Sequence, residues 1–267
     1  MTYKGLPFPD IDPVAVYIGS FGLRWYSLAY LAGIVLAWFL ARKMVRRYPN
    51  PVTEIMVDDV IFWATVGLIA GGRFGYILFY NFSYYAENPL QIFALWKGGM
   101  SFHGGLIGVI TAVYLYARSV KVSFFQFSDI LACVAPIGLF FGRLANFANS
   151  ELYGRVTVSV PWAVIFPNGG PLPRHPSQLY EAGFEGLLLF CILYFLWTCS
   201  VWARIRPGFL SGLFLFSYAV VRAVIENFRE PDAQIGFLFA RVTMGQMLTV
   251  PMLIGGVWIM IWAAKKA

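Results

Sequence analysis

Residues 58–80 read DDVIFWATVGLIAGGRFGYILFY. After two acids the run continues to Tyr80 with a single charged side chain, Arg73. A mostly apolar run of about 18 residues or more is long enough to cross the hydrocarbon core of a bilayer as a helix. Gly67, Gly71 and Gly75 recur at every fourth position. That spacing lines one helix face with small residues and lets a second helix approach closely in lipid. One stretch thus predicts a membrane span, a packing face and a buried cation.

The same pattern recurs on either side. Apolar segments at 22–41, 58–80, 102–118, 128–148, 178–200, 209–227 and 238–262 predict about seven transmembrane helices in an all-α membrane protein. Small residues at fourth positions also mark the third (Gly104, Gly108), the fourth (Gly138, Gly142) and the opening of the sixth (Gly208, Gly212). Between the segments lie turn-rich stretches such as Tyr48-Pro49-Asn50-Pro51 and Glu87-Asn88-Pro89. Residues 150–177, with Pro161, Pro167, Asn168-Gly169-Gly170, Pro171, Pro173 and Pro176, are too polar to span and predict a small extramembrane cap. The expected organisation is one integral membrane domain over 1–267, with an arm at 81–101 and the cap at 150–177 as insertions.

Composition agrees. Of the 267 residues 59% are hydrophobic and 12% charged, and the mean hydropathy is +0.68. Soluble domains carry about a quarter charged residues. Aromatics reach 18%, suited to two lipid–water interfaces. The net charge of +7 comes from short basic clusters between apolar runs, which topology explains better than nucleic acid does. Cys133, Cys191 and Cys199 fall inside apolar runs without CxxC spacing and read as small buried hydrophobes. His103 and His175 stand far apart with no acidic pair beside them, so no metal site is expected. Pro7, Pro9, Asp10, Asp12 and Pro13 interrupt any signal-peptide core within 1–19.

Basic loop residues set orientation. Arg42, Lys43, Arg46, Arg47, Arg118, Lys121, Arg204, Arg206, Lys265 and Lys266 fall on one side of a seven-span chain. Lys4, Arg24, Lys97, Arg155, Arg174, Arg229 and Arg241 fall on the other. The first set is expected to be cytoplasmic, which turns the N-terminus, arm and cap outward and the C-terminus inward.

Charges inside a bilayer are expensive and are functional candidates. The groups singled out are Arg73, Arg143, Arg222 and Glu226, with His103 and Glu151 at segment edges. At 1.5 Å per residue, Arg73 and Arg143 lie about 22 Å along outward-running helices and Arg222 about 20 Å. All three therefore fall in the outer third of the core, level with His103 and Tyr26. Paired guanidinium groups suit phosphate, because each donates two parallel hydrogen bonds. The plainer alternatives are that Arg222 pairs with Glu226 one turn on and that Arg73 and Arg143 are structural or reach up to head groups. His175, in Arg174-His175-Pro176-Ser177-Gln178, reads as a cap or helix-start residue. An anion or lipid transporter using the same arginines is a rival reading.

The run Gly142-Arg143-Leu144-Ala145-Asn146-Phe147-Ala148-Asn149-Ser150-Glu151-Leu152-Tyr153-Gly154-Arg155 resembles the signature of prolipoprotein diacylglyceryl transferases. So do His103-Gly104-Gly105-Leu106, Arg174 to Glu181, and Arg222 to Asp232 with Glu226-Asn227-Phe228-Arg229-Glu230-Pro231-Asp232. Asp12-Pro13, Arg24-Trp25-Tyr26 and Thr243-Met244-Gly245-Gln246 also fit, so the resemblance runs in order over nearly the whole chain. Ala145 and Ala148 depart slightly from the common pattern.

The resemblance implies an enzyme of the bacterial cytoplasmic (inner) membrane that needs no cofactor. Such enzymes transfer the sn-1,2-diacylglyceryl group of phosphatidylglycerol to the thiol of a lipobox cysteine in a prolipoprotein signal peptide. A thioether forms and glycerol 1-phosphate leaves, as the first step of lipoprotein maturation. By resemblance, Arg143 binds the lipid head group, Arg222 the leaving phosphate, and His103 removes a proton or orients the lipid. Glu226 would orient Arg222, and Tyr26, Asn146, Glu151, Gly154 and Tyr218 would complete the pocket. The group that deprotonates the thiol is left open among His103, Glu151 and water.

Overall fold

The computed structural model describes residues 5–19, 21–231 and 243–266. Lys4, Asp232, Arg241 and the expected start of the last apolar segment at 238–242 lie outside the described residues. In chain order the elements are β1 (Leu6–Pro7), β2 (Val14–Ile18), β3 (Phe21–Arg24), α1 (Trp25–Arg47), α2 (Glu54–Tyr80), α3 (Phe82–Glu87), α4 (Phe102–Ser119) and α5 (Phe124–Ala148). Then follow β4 (Val164–Ile165), α6 (Ser177–Cys199), α7 (Val201–Arg204), α8 (Phe209–Ile225) and α9 (Met244–Lys265). The chain is mostly helical, with one amendment to the all-α expectation. Leu6–Pro7 pairs in parallel with Val164–Ile165, and Val14–Ile18 pairs antiparallel with Phe21–Arg24. That hairpin occupies the first residues of the segment expected at 22–41, so α1 begins at Trp25.

Among the described residues five helices are long and apolar enough to cross a membrane: α1, α2, α5, α6 and α9. The expectation was seven. The remaining two segments are helical, but α4 has 18 residues without being among the five and α8 has only 17. Large apolar side chains such as Leu31, Phe62, Ile107, Phe195 and Trp258 stand exposed on these helices. Lipid, not water, is the solvent that accepts such faces. For the same reason two of the three cysteines depart from expectation: Cys133 is buried, whereas Cys191 and Cys199 are exposed on α6.

The chain divides into two compact units, Ala41–Ser128 and the remainder, with α1 ending and α5 beginning in the smaller. In the smaller unit α2 and α4 pack along a glycine seam. A Cβ on Gly71 would stand 2.8 Å from the Gly108 Cα, and one on Gly75 2.8 Å from the Gly104 Cα. Thr53 caps α2 by accepting from the Met56 N–H at 3.3 Å, and Ser101 caps α4 by accepting from the Gly104 N–H at 3.2 Å. Arg73 is only 4% exposed and is wholly engaged by the arm. Its guanidinium donates to the carbonyls of Ile92 (2.9 Å), Gln91 (2.6 Å), Ala94 (3.2 Å), Gly99 (3.2 Å) and Gly98, and lies over the Tyr85 ring. The arm is α3 followed by two 3₁₀ turns, Pro89–Phe93 and Leu95–Lys97. Short 3₁₀ turns leave carbonyl acceptor capacity unused, and Arg73 supplies donors to it, although Gln91 and Ala94 also accept from the N–H groups of Ala94 and Lys97. It is the structural alternative for Arg73 that holds.

In the larger unit three glycine contacts bring helices together. Gly33 of α1 meets the Gly138 Cα, Gly186 of α6 meets Phe140 of α5, and Gly212 of α8 meets Gly256 of α9. Two expected packing glycines do otherwise. A Cβ on Gly142 would meet nothing within 4 Å, and Gly208 (φ 104°) is the left-handed N-cap of α8. Buried Asp129 of α5 completes that cap. Its carboxylate accepts from the N–H groups of Gly208 and Ser211, each at 2.8 Å, and from the Ser211 hydroxyl at 2.5 Å.

The 150–177 segment is ordered by backbone pairing, as Gly154 bridges Arg229 and both Val156 and Val164 bridge Arg174. Arg174 braces it further, donating to the carbonyls of Gly169 (2.9 Å) and Gly154 (3.2 Å) and pairing with Glu230 at 3.0 Å.

Candidate active site

The site grows from an unusual turn in α6. After Ser177–Glu181 the helix widens into a π-helical stretch, Ala182–Leu188, before resuming as α-helix. Such stretches are rare and occur frequently at functional sites. Gly186 presses this stretch against α5, since a Cβ there would stand 2.7 Å from the Phe140 Cα. Glu181 and Glu185, both fully buried, are thereby brought to Arg143, one turn beyond Phe140.

Glu181 is the hub. It pairs with Arg143 Nε at 2.8 Å, Arg222 Nη1 at 3.1 Å and Arg229 Nη1 at 3.6 Å. Glu185 stands 3.6 Å from both Arg143 and Arg222. Glu226 takes Arg222 Nη2 at 2.8 Å and accepts from the Thr243 hydroxyl at 3.0 Å. Gly245 leaves the room that carboxylate needs, for a Cβ there would lie 2.6 Å from its Cδ. Thr243 and Gln246 cap each other at the start of α9, which fixes the Thr243 hydroxyl in turn. The Arg143 and Arg222 side chains keep 17% and 13% exposure while Glu181 and Glu185 keep none. The accessible face of the cluster is therefore cationic, and the anions that hold it lie behind.

A second chain of contacts leads from Arg143. Its Nη1 donates to Asn146 Oδ1 at 3.5 Å, and Asn146 Nδ2 donates to Glu151 Oε1 at 3.0 Å. The Tyr26 hydroxyl donates to Glu151 and accepts from Asn146. Ser150 (φ 53°) and Leu152 (φ 54°) flank Glu151 in left-handed backbone, which residues with a Cβ rarely adopt. Gln178 and Ser177 secure that turn by donating to the carbonyls of Glu151 (2.6 Å) and Leu152 (3.1 Å). The strained turn thus serves to present the Glu151 carboxylate.

Gly154 lies in the cap. A Cβ there would stand 2.5 Å from the Phe228 carbonyl oxygen and 2.6 Å from that of His175, so only glycine lets the three strands of chain meet. His175 packs edge-on against Phe228 and Tyr180, with Nδ1 3.1 Å from the Tyr180 hydroxyl. Burial holds its pKa below the usual histidine value. These are packing contacts within the cap, and Pro176, not His175, is the cap residue of α6.

The larger unit brings together Arg143, Arg222, Glu226, Asn146, Glu151 and Tyr26, with Tyr218 one turn before Arg222 and within reach of the charges of Glu185, Arg222 and Arg143. His103 belongs to the smaller unit, exposed in the first turn of α4 with its ring edge-on to Phe102. Sequence reasoning passed over Glu181, Glu185 and Arg229. The two glutamates carried a usable signal, being charges inside the apolar segment 178–200, the same criterion that singled out the arginines. Asp129 was missed in the same way. Arg229 lies beyond the end of α8 and so escaped the apolar-segment criterion, although it stands in the run from Arg222 to Asp232 that carries the resemblance. The arginines also do not stand as a bare pair: the expected Arg222–Glu226 pairing exists, and Glu181 and Glu185 join Arg222 to Arg143.

Comparison with known proteins gives the family. A family model described as "Prolipoprotein diacylglyceryl transferase" matches residues 13–262. A protein of Rhodospirillum rubrum named phosphatidylglycerol–prolipoprotein diacylglyceryl transferase is 56% identical over 97% of this chain and 95% of its own. Proteins of the same name from Paramagnetospirillum magneticum and Rhodopseudomonas palustris are each 52% identical over 100% of this chain, covering 98% and 94% of theirs. With a match of that extent and a cluster built from the residues that carry the resemblance, the chain belongs to the prolipoprotein diacylglyceryl transferase family.

Proposed function

We propose that this chain transfers the sn-1,2-diacylglyceryl group of phosphatidylglycerol to the thiol of a lipobox cysteine in a prolipoprotein. Full-length relatives bearing that name support the reading. The observation that carries it is the accessible cationic face of Arg143 and Arg222 over buried carboxylates. A lipid phosphodiester is the anion such a face would meet in a bilayer. The transporter alternative has no comparable support.

The chemistry asks two things of the protein. A thiol of pKa about 8.5 must become a thiolate. Its sulfur then attacks the diacylglyceryl carbon bonded to the phosphate oxygen. The C–O bond breaks, its electron pair passes to that oxygen, and glycerol 1-phosphate departs. Arg222 would neutralise charge growing on the phosphate, and Arg143 would hold the head group, both fixed in place beforehand by Glu181 so that little reorganisation accompanies reaction. Tyr26, Asn146, Glu151 and Tyr218 would line the same pocket, with Gly154 shaping the cap above it. The part of His103 in proton removal or lipid orientation rests on the sequence resemblance alone.

The topology belongs to the same reading. Seven helices would span, with α4 and α8 reaching about 25–27 Å at 1.5 Å per residue, and the arm and cap would face the periplasm. The N-terminus would be periplasmic, the C-terminus cytoplasmic, and the whole one functional membrane domain.

The test is incubation of purified protein with phosphatidylglycerol and a lipobox peptide. A thioether adduct and free glycerol phosphate are expected from the wild type, and from neither Arg143→Ala nor Arg222→Ala. Transfer by either variant at the wild-type rate would refute the phosphate clamp.

A further inference from the structure

Glu185 has no task in the reaction as just argued, yet its position is costly. Its side chain is wholly buried, and among the described residues neither carboxylate oxygen accepts a hydrogen bond of ordinary length. It stands 3.6 Å from the guanidinium groups of Arg143 and Arg222, where Glu181 reaches the same two groups at 2.8 and 3.1 Å. Buried polar groups are almost always hydrogen-bonded, and a buried ion without such bonds is destabilising. It also sits inside the π-helical stretch of α6.

Charge balance gives this carboxylate a use. The ion pairs of the cluster join the guanidinium groups of Arg143, Arg222 and Arg229 to the carboxylates of Glu181, Glu185 and Glu226. Among the described residues these six are neutral together when all are ionised. A phosphodiester reaching Arg143 and Arg222 adds one further negative charge to a pocket that already holds the Glu151 carboxylate as well. Glu181 is tied to two arginines at short range, and Glu226 to Arg222 and the Thr243 hydroxyl. Of these three, Glu185 has only the longer contacts, at 3.6 Å, among the described residues, so its charge is the one most easily given up.

We propose that Glu185 is a displaceable counter-ion, which balances Arg143 and Arg222 until an anionic lipid phosphate pairs with them and then takes up one proton from solvent. The step makes and breaks no bond of the lipid: the carboxylate becomes a carboxylic acid, and its new O–H can donate to the phosphate or to Glu181. Besides Arg143 of α5 and Glu181 of its own helix, the ionisable groups facing it are Tyr218 and Arg222 of α8. The inference rests on the phosphate-clamp reading and makes Glu185 a positioning residue.

Equilibrium binding of labelled phosphatidylglycerol to the purified full chain in detergent, from pH 6 to 9, tests it, with phosphatidylcholine as the uncharged-head-group control. Uptake of one proton makes the wild-type affinity fall with rising pH, by up to about tenfold per unit. The phosphodiester itself does not titrate in this range. Glu185→Gln should remove the slope and bind more tightly than wild type at pH 9. Glu185→Asp, which keeps the charge, should keep the slope. A flat wild-type profile, an unchanged slope in Glu185→Gln, or a flat profile in folded Glu185→Asp would overturn the proposal. Arg143→Ala is measured alongside: if it binds phosphatidylglycerol as the wild type does, the clamp itself fails.

Discussion

Replacing Glu181 by glutamine keeps the shape of the hub and removes its charge. Alanine would leave three guanidinium groups facing a hole, and breaking a buried pair in that way costs about 3–5 kcal/mol, enough to confuse misfolding with lost function. Glutamine still accepts through its carbonyl oxygen. What is lost is one of two contacts, because Arg143 and Arg222 pair with different carboxylate oxygens, at 2.8 and 3.1 Å, and glutamine puts an NH2 donor in place of one of them. A hydrogen bond to a charged group is worth about 1.5–3 kcal/mol, so the loss of one amounts to roughly 2 kcal/mol, or about 30-fold in rate. The loss is expected in kcat, because guanidinium groups no longer drawn to one point misplace the departing phosphate. The KM for lipid is not expected to rise, since a negative charge has left the neighbourhood of an anionic substrate. Steady-state transfer to a lipobox peptide at varied phosphatidylglycerol gives both constants. A folded Glu181→Gln protein with kcat within threefold of wild type, or with its whole loss in a raised KM, would refute the view that Glu181 positions both arginines.

Three further outcomes are expected. Arg73→Met should release the arm, because methionine offers no donor to the five carbonyls that Arg73 engages; limited proteolysis should cut within 81–101 in the variant and not in the wild type. Gly71→Val should destabilise by about 1–3 kcal/mol through overpacking, since even its Cβ would stand 2.8 Å from the Gly108 Cα, whereas Gly142→Ala, with nothing within 4 Å, should leave the melting temperature in detergent unchanged. His175 is held neutral by burial, its pKa lying below the usual 6.5. The unfolded chain therefore binds the proton first as pH falls. Its contribution to stability is full above about pH 6.5 and is lost as pH drops through the lower folded value, so melting scans at pH 7.5 and 5.0 should show a smaller acid-induced drop for His175→Asn than for wild type.

Much of the helical order was legible in the chain because lipid imposes a simple rule. Every backbone polar group must be paired within its own segment, so apolar runs such as 58–80 and 128–148 become helices whatever surrounds them. Observed α2 and α4 end within a residue of the expected segments, and the seam at Gly71 and Gly108 was visible as a repeat. The depth expected for Arg143 and Arg222 needs helix rise alone, a quantity local to one segment. Partnership did not. Nothing local to 181, 185, 222 or 229 states that these residues meet, since ion pairs between helices depend on which faces turn together. In this chain that is decided by the π-helical stretch of α6 and by Gly186 against Phe140, features with no periodic signature. Short strand pairs escaped for a similar reason, as β1 finds its partner more than 150 positions away. Composition and hydropathy determine that this protein lives in a membrane and which charges it keeps there. Only the packed structure decides that those charges stand against one another, because that is a matter of distances between segments, which no run of residues contains.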